Sequence, residues 1–341
     1  NIRTQAIYSL EQGKTFYTSN AGLPVLRQEI CNYVERKYNV SYNPKNEILI
    51  TVGGSEAIDM GLRCVLDPGD EVIIPQPAYV SYEPCTIMAG GKPVIIDLKA
   101  ENEFRLTPEE LEAAITPKTK VLILPFPNNP TGAIMEAKDL EAIIPIIIKH
   151  DLIVMSDEIY AELTYTGKHV SIASYPGMKE RTILINGFSK AFAMTGWRLG
   201  YACGPAEIIE QMTKLHQYAI MCAPTLSQYG AIEAVKNSDE EVENMVKQYN
   251  QRRRFLLSEL ERLGLDCFEP GGAFYVFPSI KKTGMTSEEF ATKLLESQKL
   301  AVVPGNAFGR SGEGFIRISY AYSIDNLKEG IRRIEEFLKN V

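Results

Sequence analysis

The sequence is poor in the residues that usually bind metals or form disulfides. It has only three histidines in 341 residues, and they are far apart, at His150, His169 and His216. Its six cysteines are scattered and include no Cys-x-x-Cys pair. This spacing matches no metal motif, so we expect no metal site and interpret the histidines as structural. Scattered cysteines in a chain of this length indicate reduced, buried thiols, which predicts a reducing, cytoplasmic location.

The sequence also lacks a long apolar run and an excess of positive charge. No stretch approaches the ~18 apolar residues of a membrane-spanning helix. Lys and Arg total 36 against 43 Asp and Glu, so the formal net charge is −7. An acidic chain has no bulk attraction to nucleic acid or anionic lipid, and we predict neither as a partner. The chain starts at Asn1 without a signal peptide and opens inside an expected helix, Arg3–Gln12, so we expect a further N-terminal segment upstream.

Short apolar runs alternate with helical stretches through residues 1–245. The predicted strands are Ile48–Thr51, Glu71–Pro75, Pro93–Asp97, Val121–Pro125, Leu152–Asp157, Thr182–Asn186 and Leu199–Cys203. Because they are continuously apolar and rich in β-branched residues, we expect them to be buried on both faces of a mainly parallel sheet. Helices with clear start signals, such as the capping box that begins at Thr107, separate them. This alternation predicts a three-layer α/β domain over residues 1–245.

Residues 246–341 have a different order of elements, typical of a smaller α+β domain. A long predicted helix over residues 238–263 joins the two domains. The elements expected after it are strand Ala273–Phe277, helix Ser287–Ser297, strands Ala301–Val303 and Phe315–Ser319, and a final helix Ile324–Leu338.

Four polar segments each follow a predicted strand, where ligands bind in parallel α/β sheets. They are Val52-Gly53-Gly54-Ser55-Glu56, Asn128-Asn129-Pro130-Thr131-Gly132, Asp157-Glu158-Ile159-Tyr160, and the segment from Gly187 to Arg198. Alone, each has an ordinary interpretation as a tight turn, a helix cap or a solvated charge. A Gly-Gly turn that opens a helix can also present backbone N–H groups to a phosphate. Together the four segments predict one site.

This combination resembles the class I branch of the fold type I aminotransferases, which includes aspartate and aromatic aminotransferases. The match runs from Gly13-Lys14 to the last helix. It implies an aspartate aminotransferase-like fold, the cofactor pyridoxal 5′-phosphate (PLP), and a homodimer with shared active sites. It also implies ping-pong transfer of an amino group from an L-amino acid to a 2-oxo acid such as 2-oxoglutarate.

The resemblance implies a role for each motif residue around the cofactor ring. Lys190 forms the Schiff base with PLP and then moves the proton between the substrate Cα and the cofactor C4′. Asp157 pairs with the pyridine nitrogen and keeps it protonated. Asn129 and Tyr160 hydrogen-bond the cofactor's 3′ oxygen, and Tyr79 stacks on the ring.

The resemblance also implies contacts to the phosphate and to the substrate. The expected phosphate contacts are Arg198, Ser189, the hydroxyl of Ser55 and the backbone N–H groups of Gly54, Ser55 and Glu56. Many relatives have a serine three residues before the lysine, where this chain has Gly187. Tyr17 would reach across the dimer interface to the phosphate bound by the partner. Arg317 would bind the substrate α-carboxylate as a planar, bidentate fork, with Asn129 beside it.

The donor amino acid and the reaction type stay open at this point. Aspartate-preferring relatives can have a basic residue where this chain has the neutral Ser55, so aromatic or broad-range donors are favoured and aspartate remains possible. A fold type I PLP lyase, either a carbon–sulfur β-lyase or a cyclopropane-forming synthase, would share Lys190, Asp157 and Arg198. The run from Phe192 to Trp197 favours an aminotransferase. A non-enzymatic PLP-binding sensor of a regulator is disfavoured, because no DNA-binding helix-turn-helix is evident and the chain is acidic.

Overall fold

The computed structural model describes residues 1–340, which contain eleven α-helices and ten strands arranged in two sheets. The strands are β1 (Ile48–Thr51), β2 (Glu71–Gln76), β3 (Lys92–Asp97), β4 (Thr119–Leu124), β5 (Ile153–Asp157), β6 (Thr182–Gly187), β7 (Gly200–Cys203), β8 (Tyr275–Val276), β9 (Val303–Pro304) and β10 (Ile316–Ser319). The helices are α1 (Ile2–Glu11), α2 (Pro24–Tyr38), α3 (Gly54–Val65), α4 (Tyr82–Met88), α5 (Pro108–Ala114), α6 (Ala137–Lys149), α7 (Ala206–Ala219), α8 (Thr225–Asn237), α9 (Asp239–Arg262), α10 (Ser287–Gln298) and α11 (Ile324–Leu338). The seven strands predicted for the large sheet are confirmed, each to within two residues at its ends.

The large sheet is mainly parallel and lies between two layers of helices. Its strand order is β1-β7-β6-β5-β4-β2-β3, and β7 runs antiparallel to both of its neighbours. Successive side chains of a strand point to opposite faces. Accordingly, Leu122 packs with residues of α5 and α6, whereas Ile123 packs with residues of α3, α4 and α7. Both faces are therefore apolar, which confirms the predicted three-layer architecture.

The carboxyl ends of the parallel strands meet at one edge of this sheet. β5 ends at Asp157 and β6 ends at Gly187, and α3 begins at Gly54 directly after β1. Gly53 has φ +82, a backbone region that suits glycine, and a Cβ there would lie 2.7 Å from Nη2 of Arg198. The glycine therefore lets the arginine lie against the start of α3.

The second sheet has the order β8-β10-β9 and packs with α9, α10 and α11. All three of its strands differ from the predicted bounds, and β10 differs only in beginning at Ile316 rather than at Phe315. β8 begins at Tyr275 rather than at Ala273, because Ala273 has the left-handed φ of +58 and cannot continue a strand. β9 is shifted toward Pro304, since its pairing with β10 aligns Val303 with Arg317. Among residues 1–340, no helix is both long and apolar enough to span a membrane.

Candidate active site

A cavity of about 360 Å³ lies at the carboxyl edge of the large sheet and extends to the second sheet. It brings together most of the predicted site residues. Those that line it are Gly54, Ser55, Tyr79, Asn129, Asp157, Tyr160, Ser189, Lys190, Arg198 and Arg317. Residues from six separate stretches of the chain therefore share one cavity.

Two predicted residues, Glu56 and Tyr17, do not line this cavity. The Glu56 carboxylate turns back from the start of α3, where it accepts a hydrogen bond from the Val52 N–H and lies 2.7 Å from Nδ1 of His216. Tyr17 is 77% exposed on the surface of this chain. Its contact with a partner's cofactor stays a prediction.

Lys190 lies in the segment that follows β6, and it lines the cavity. Its Nζ lies 5.4 Å from the ring centroids of both Tyr160 and Phe274. Burial lowers the pKa of Lys190, and the positive charge of Arg317 lowers it further, against the opposing effect of Asp157. A lowered pKa favours the neutral amine, which is the nucleophilic and proton-accepting form.

The Lys190 amine is expected to become more basic in an Arg317→Gln variant, because a neighbouring positive charge is removed. The pH dependence of Lys190 acylation in the protein without cofactor, followed by peptide mass spectrometry, measures this pKa. Arg332→Gln, on the exposed face of α11, serves as the matched control and should leave the profile unchanged. If the acylation profiles of Arg317→Gln and the wild type coincide, Arg317 does not lower the pKa of Lys190.

Asp157 is a buried carboxylate at the end of β5. Its Oδ2 accepts a hydrogen bond of 2.7 Å from the Tyr82 hydroxyl, and its Oδ1 accepts one of 3.1 Å from the Ile159 N–H. Burial raises the pKa of Asp157, although these two hydrogen bonds work in the opposite direction. A cationic N–H group placed in the cavity would be a favourable partner for this carboxylate.

The contact from Tyr82 was missed in the sequence. Tyr82 follows the predicted ring-stacking residue Tyr79 by three positions and begins α4. The two rings lie 5.6 Å apart, but Tyr79 precedes the helix, so helical spacing does not predict this contact from the sequence.

The other end of the cavity suits an anion. Gly54 is the first residue of α3, so the positive end of the helix dipole and its unpaired N–H groups point toward the cavity. The Ser55 hydroxyl lies 3.4 Å from the Tyr79 hydroxyl. Arg198 donates from Nη1 to the Thr195 carbonyl at 3.1 Å, which holds its guanidinium beside the helix start. These groups fit a phosphate, for which arginine and helix N-termini are common partners.

Arg317 projects from β10 into the cavity from the side opposite the large sheet. Its Nη1 donates a hydrogen bond of 2.7 Å to Oδ1 of Asn129. Its guanidinium lies 4.5 Å from the ring centroid of Tyr275 and 4.8 Å from that of Phe308. Its buried Nε has no hydrogen-bond partner among residues 1–340, so a donor is left for an incoming carboxylate.

The arrangement fits PLP: an anion cradle at one end, a buried carboxylate for a protonated ring nitrogen, and an amine of lowered pKa. The sequence profile described as "Aminotransferase class I and II" matches residues 1–334. The chain belongs to this family. Members of the family use PLP, and the chain is a PLP-dependent aminotransferase.

Several aminotransferases are similar to the chain over almost its whole length. It is 52% identical to the putative aminotransferase YugH of Bacillus subtilis and 48% identical to an aspartate aminotransferase of Pyrococcus abyssi. Each match covers 99% of this chain and 88% of the relative. The solved structure of an aromatic aminotransferase from Pyrococcus horikoshii superposes with a TM-score of 0.98 at 46% identity, covering 99% of this chain and 92% of that one. These relatives support transamination and give no support to a lyase.

Proposed function

We propose that this aminotransferase takes neutral donors, either aromatic L-amino acids or a broad range that includes them, with aspartate as a weaker possibility. Among residues 1–340, the cations that line the cavity are Lys190, Arg198 and Arg317. With two of these assigned to the cofactor, Arg317 alone remains, and it is needed for the α-carboxylate. Among the described residues that line the cavity, no cation is then left for a second substrate carboxylate. We propose a 2-oxo acid such as 2-oxoglutarate as the acceptor.

The proposed roles rest on one observation, which is that Lys190, Asp157 and Arg317 line the same cavity. PLP, when bound, supplies the electron-withdrawing ring that makes the substrate Cα–H acidic. Arg317 binds the α-carboxylate, and the Asn129 carbonyl oxygen orients its guanidinium. Lys190, as a neutral amine, takes the proton from the substrate Cα and delivers it to C4′ of the cofactor, which is the net proton transfer of transamination.

The remaining residues of the cavity hold the cofactor in place. Arg198, Ser55, Ser189 and the first N–H groups of α3 are proposed to bind the phosphate. Asp157 holds the proton on the ring nitrogen, Tyr160 donates a hydrogen bond to the 3′ oxygen, and Tyr79 covers the ring face. Because these groups come from separate strands of a rigid sheet, they are positioned before the substrate arrives.

An absorbance titration with single amino acids tests the function and the donor class. Adding an aromatic L-amino acid without a 2-oxo acid should lower the visible band near ~420 nm and raise a band near ~330 nm. Aspartate should give a smaller change. A visible band that persists while pyruvate and ammonia accumulate would contradict transamination. No visible band after PLP addition would contradict the role of Lys190.

We also propose a homodimer in which Tyr17 completes the partner's site. Support comes from a cluster of exposed apolar side chains around it. Phe16, Tyr17 and Met221 are 58%, 77% and 46% exposed. They are held together because Thr225 donates to the Phe16 carbonyl and Asn20 donates to the Met221 carbonyl. We further propose a cytoplasmic location, which the six free cysteines support.

Mixing two inactive variants tests the shared site. In a mixed dimer of Lys190→Ala and Tyr17→Ala chains, one of the two sites contains Lys190 from one chain and Tyr17 from the other. Equal mixing should therefore restore about a quarter of the wild-type sites, because half of random pairs are mixed. Each variant mixed with itself is the control. No gain of activity on mixing, with dimer exchange verified by mass spectrometry, would contradict a shared site.

A further inference from the structure

Tyr275 lies between the two halves of the active site and contacts both. Its hydroxyl is 2.9 Å from the Tyr160 hydroxyl, and its ring centroid is 4.5 Å from the Arg317 guanidinium. Tyr160 and Tyr275 are 4% and 6% exposed, so this hydrogen bond lies largely out of bulk solvent. One side chain thus touches both the residue expected to contact the cofactor and the residue expected to bind the substrate.

The backbone before Tyr275 is fixed to the large sheet's loops. The Gly272 N–H donates to the Gly132 carbonyl at 2.9 Å, and the Ala273 N–H donates to the Leu163 carbonyl at 2.9 Å. A Cβ at Gly132 would lie 2.9 Å from the Gly272 carbonyl oxygen, so the two segments are in close contact. These bonds hold Tyr275 in a defined position beside Tyr160.

Each phenol of the Tyr160–Tyr275 pair has one hydroxyl proton, so only one of the two donates across the 2.9 Å contact. Burial raises the pKa of both phenols, but the Tyr160 hydrogen bond and the Arg317 charge pull the pKa of Tyr275 back down. Burial raises the pKa of Tyr160 well above its usual range, Tyr275 and Asp157 raise it further, and the Arg317 charge opposes them. The proposed bond from Tyr160 to the cofactor's 3′ oxygen uses the single hydroxyl proton of Tyr160. In that arrangement Tyr275 donates and the Tyr160 oxygen accepts.

We propose that Tyr275 is a positioning residue that joins the carboxylate-binding Arg317 to the cofactor-binding Tyr160. Its hydroxyl donates to the Tyr160 oxygen and strengthens the bond that Tyr160 donates, and its ring forms a platform for the Arg317 guanidinium. The inference rests on the proposed function, since it takes the roles of Tyr160 and Arg317 from there.

The Tyr275 hydroxyl should have a measurable effect on how tightly the Lys190 nitrogen binds its proton. In the holoenzyme, negative charge on the cofactor's 3′ oxygen favours a proton on that nitrogen. A hydrogen bond donated to the oxygen withdraws this charge, so the nitrogen binds its proton less tightly. A weaker bond from Tyr160 therefore raises the pH midpoint of the visible band, which reports the proton on the Lys190 nitrogen.

Variants of Tyr275 and Phe308 separate the hydroxyl from the ring. Tyr275→Phe removes the hydroxyl and keeps the ring, whereas Phe308→Leu removes the second ring that lies 4.8 Å from Arg317. Tyr275→Leu removes both the hydroxyl and the ring of Tyr275. Tyr249→Phe is the matched control, because its ring packs 5.6 Å from Phe274 outside the cavity lining. Each holoenzyme is titrated with pH without substrate, and then with 3-phenylpropanoate, a carboxylate that lacks the reacting amino group.

Removing the hydroxyl should change only the pH midpoint of the visible band, and removing a ring beside Arg317 should change only the binding of the carboxylate. Tyr275→Phe should raise the pH midpoint by roughly a few tenths of a unit, since hydrogen-bond chains strengthen each member by about 10–30%. It should bind 3-phenylpropanoate as the wild type does. Phe308→Leu should leave the midpoint unchanged and weaken that binding roughly two- to fivefold. Tyr275→Leu should show both effects, and Tyr249→Phe neither.

An unchanged midpoint in folded, PLP-loaded Tyr275→Phe would overturn the inference while wild-type transamination still stood. A Tyr275→Leu variant with wild-type carboxylate affinity would overturn the platform role in the same way. Failure of the wild type to form a visible band with PLP would overturn the inference together with the proposed function.

Discussion

Lys190→Ala is expected to lower kcat/KM by at least roughly 10⁴-fold, the upper end of what a positioned acid–base group contributes. The loss is this large because one amine is proposed both to bind the cofactor covalently and to move the Cα proton. The fold should be retained. The amine lies near the rings of Tyr160 and Phe274, and most of the remaining cavity groups come from other segments of the chain.

Borohydride reduction provides a direct measurement of the Lys190 role. In the wild type it should fix PLP to the peptide that contains Lys190, as seen by mass spectrometry. The Lys190→Ala protein should carry no fixed PLP, although its phosphate-binding groups remain. Lys168→Ala, at an exposed lysine, is the control and should be labelled as the wild type is. Labelling of another lysine in the wild type would reject the assignment.

Asp157→Asn is expected to lower kcat/KM by at least roughly 10²–10³-fold, the cost of removing one preorganised electrostatic contact. The same change should stabilise the protein without cofactor. Asp157 is 7% exposed, and its pKa is raised above the unfolded-state value by burial. The ionised form of Asp157 is therefore less favourable in the folded chain than in the unfolded chain, and the amide removes this cost. We expect the unfolding temperature to rise by about 1–3 °C.

The contribution of Asp157 to the free energy of unfolding depends on pH, and its sign follows from the direction of the pKa shift. A raised folded-state pKa means that the folded chain binds the proton more tightly than the unfolded chain. The contribution of Asp157 is therefore favourable below its unfolded pKa and is lost as pH rises through the folded pKa. Differential scanning calorimetry of the cofactor-free proteins should show Asp157→Asn gaining over the wild type near pH 7 and losing that gain in acid. Asp266→Asn, whose side chain is 73% exposed, is the matched control. If Asp157→Asn unfolds at a lower temperature than the wild type at neutral pH, the predicted stabilisation is wrong.

Much of the fold follows from local sequence signals. The strands of the large sheet are continuously apolar because both faces are covered, and this pattern can be recognised without knowing the partners. Their carboxyl ends carry Asp157, Gly187 and the Gly53-Gly54 turn, so parallel topology alone predicts that these positions converge. Lys190 and Arg198 follow from the same argument together with the family resemblance.

The contacts that arise between distant segments could not be predicted in this way. The Tyr82–Asp157 hydrogen bond joins residues 75 positions apart, and the Tyr160–Tyr275 bond joins residues 115 apart. The direction of a side chain is equally a tertiary property. Glu56 follows the anion-binding turn in sequence, yet its carboxylate pairs with His216 of α7. Tertiary packing also set the ends of β8 and β9, which had weak periodic signals.

The antiparallel direction of β7 sets the distance between two groups of the active site, the Lys190 amine and the Arg198 guanidinium. Because β7 runs antiparallel to β6, a single connection leaves one strand and starts the next at the same edge of the sheet. That connection carries both the Lys190 amine and the Arg198 guanidinium. If β7 ran parallel to β6, its first residue would lie about 13 Å away at the opposite edge, given four residues at roughly 3.3 Å each. Strand polarity thus fixes the span between the phosphate end and the reacting end of the cofactor site. A change in the length of this one connection would disturb both ends together.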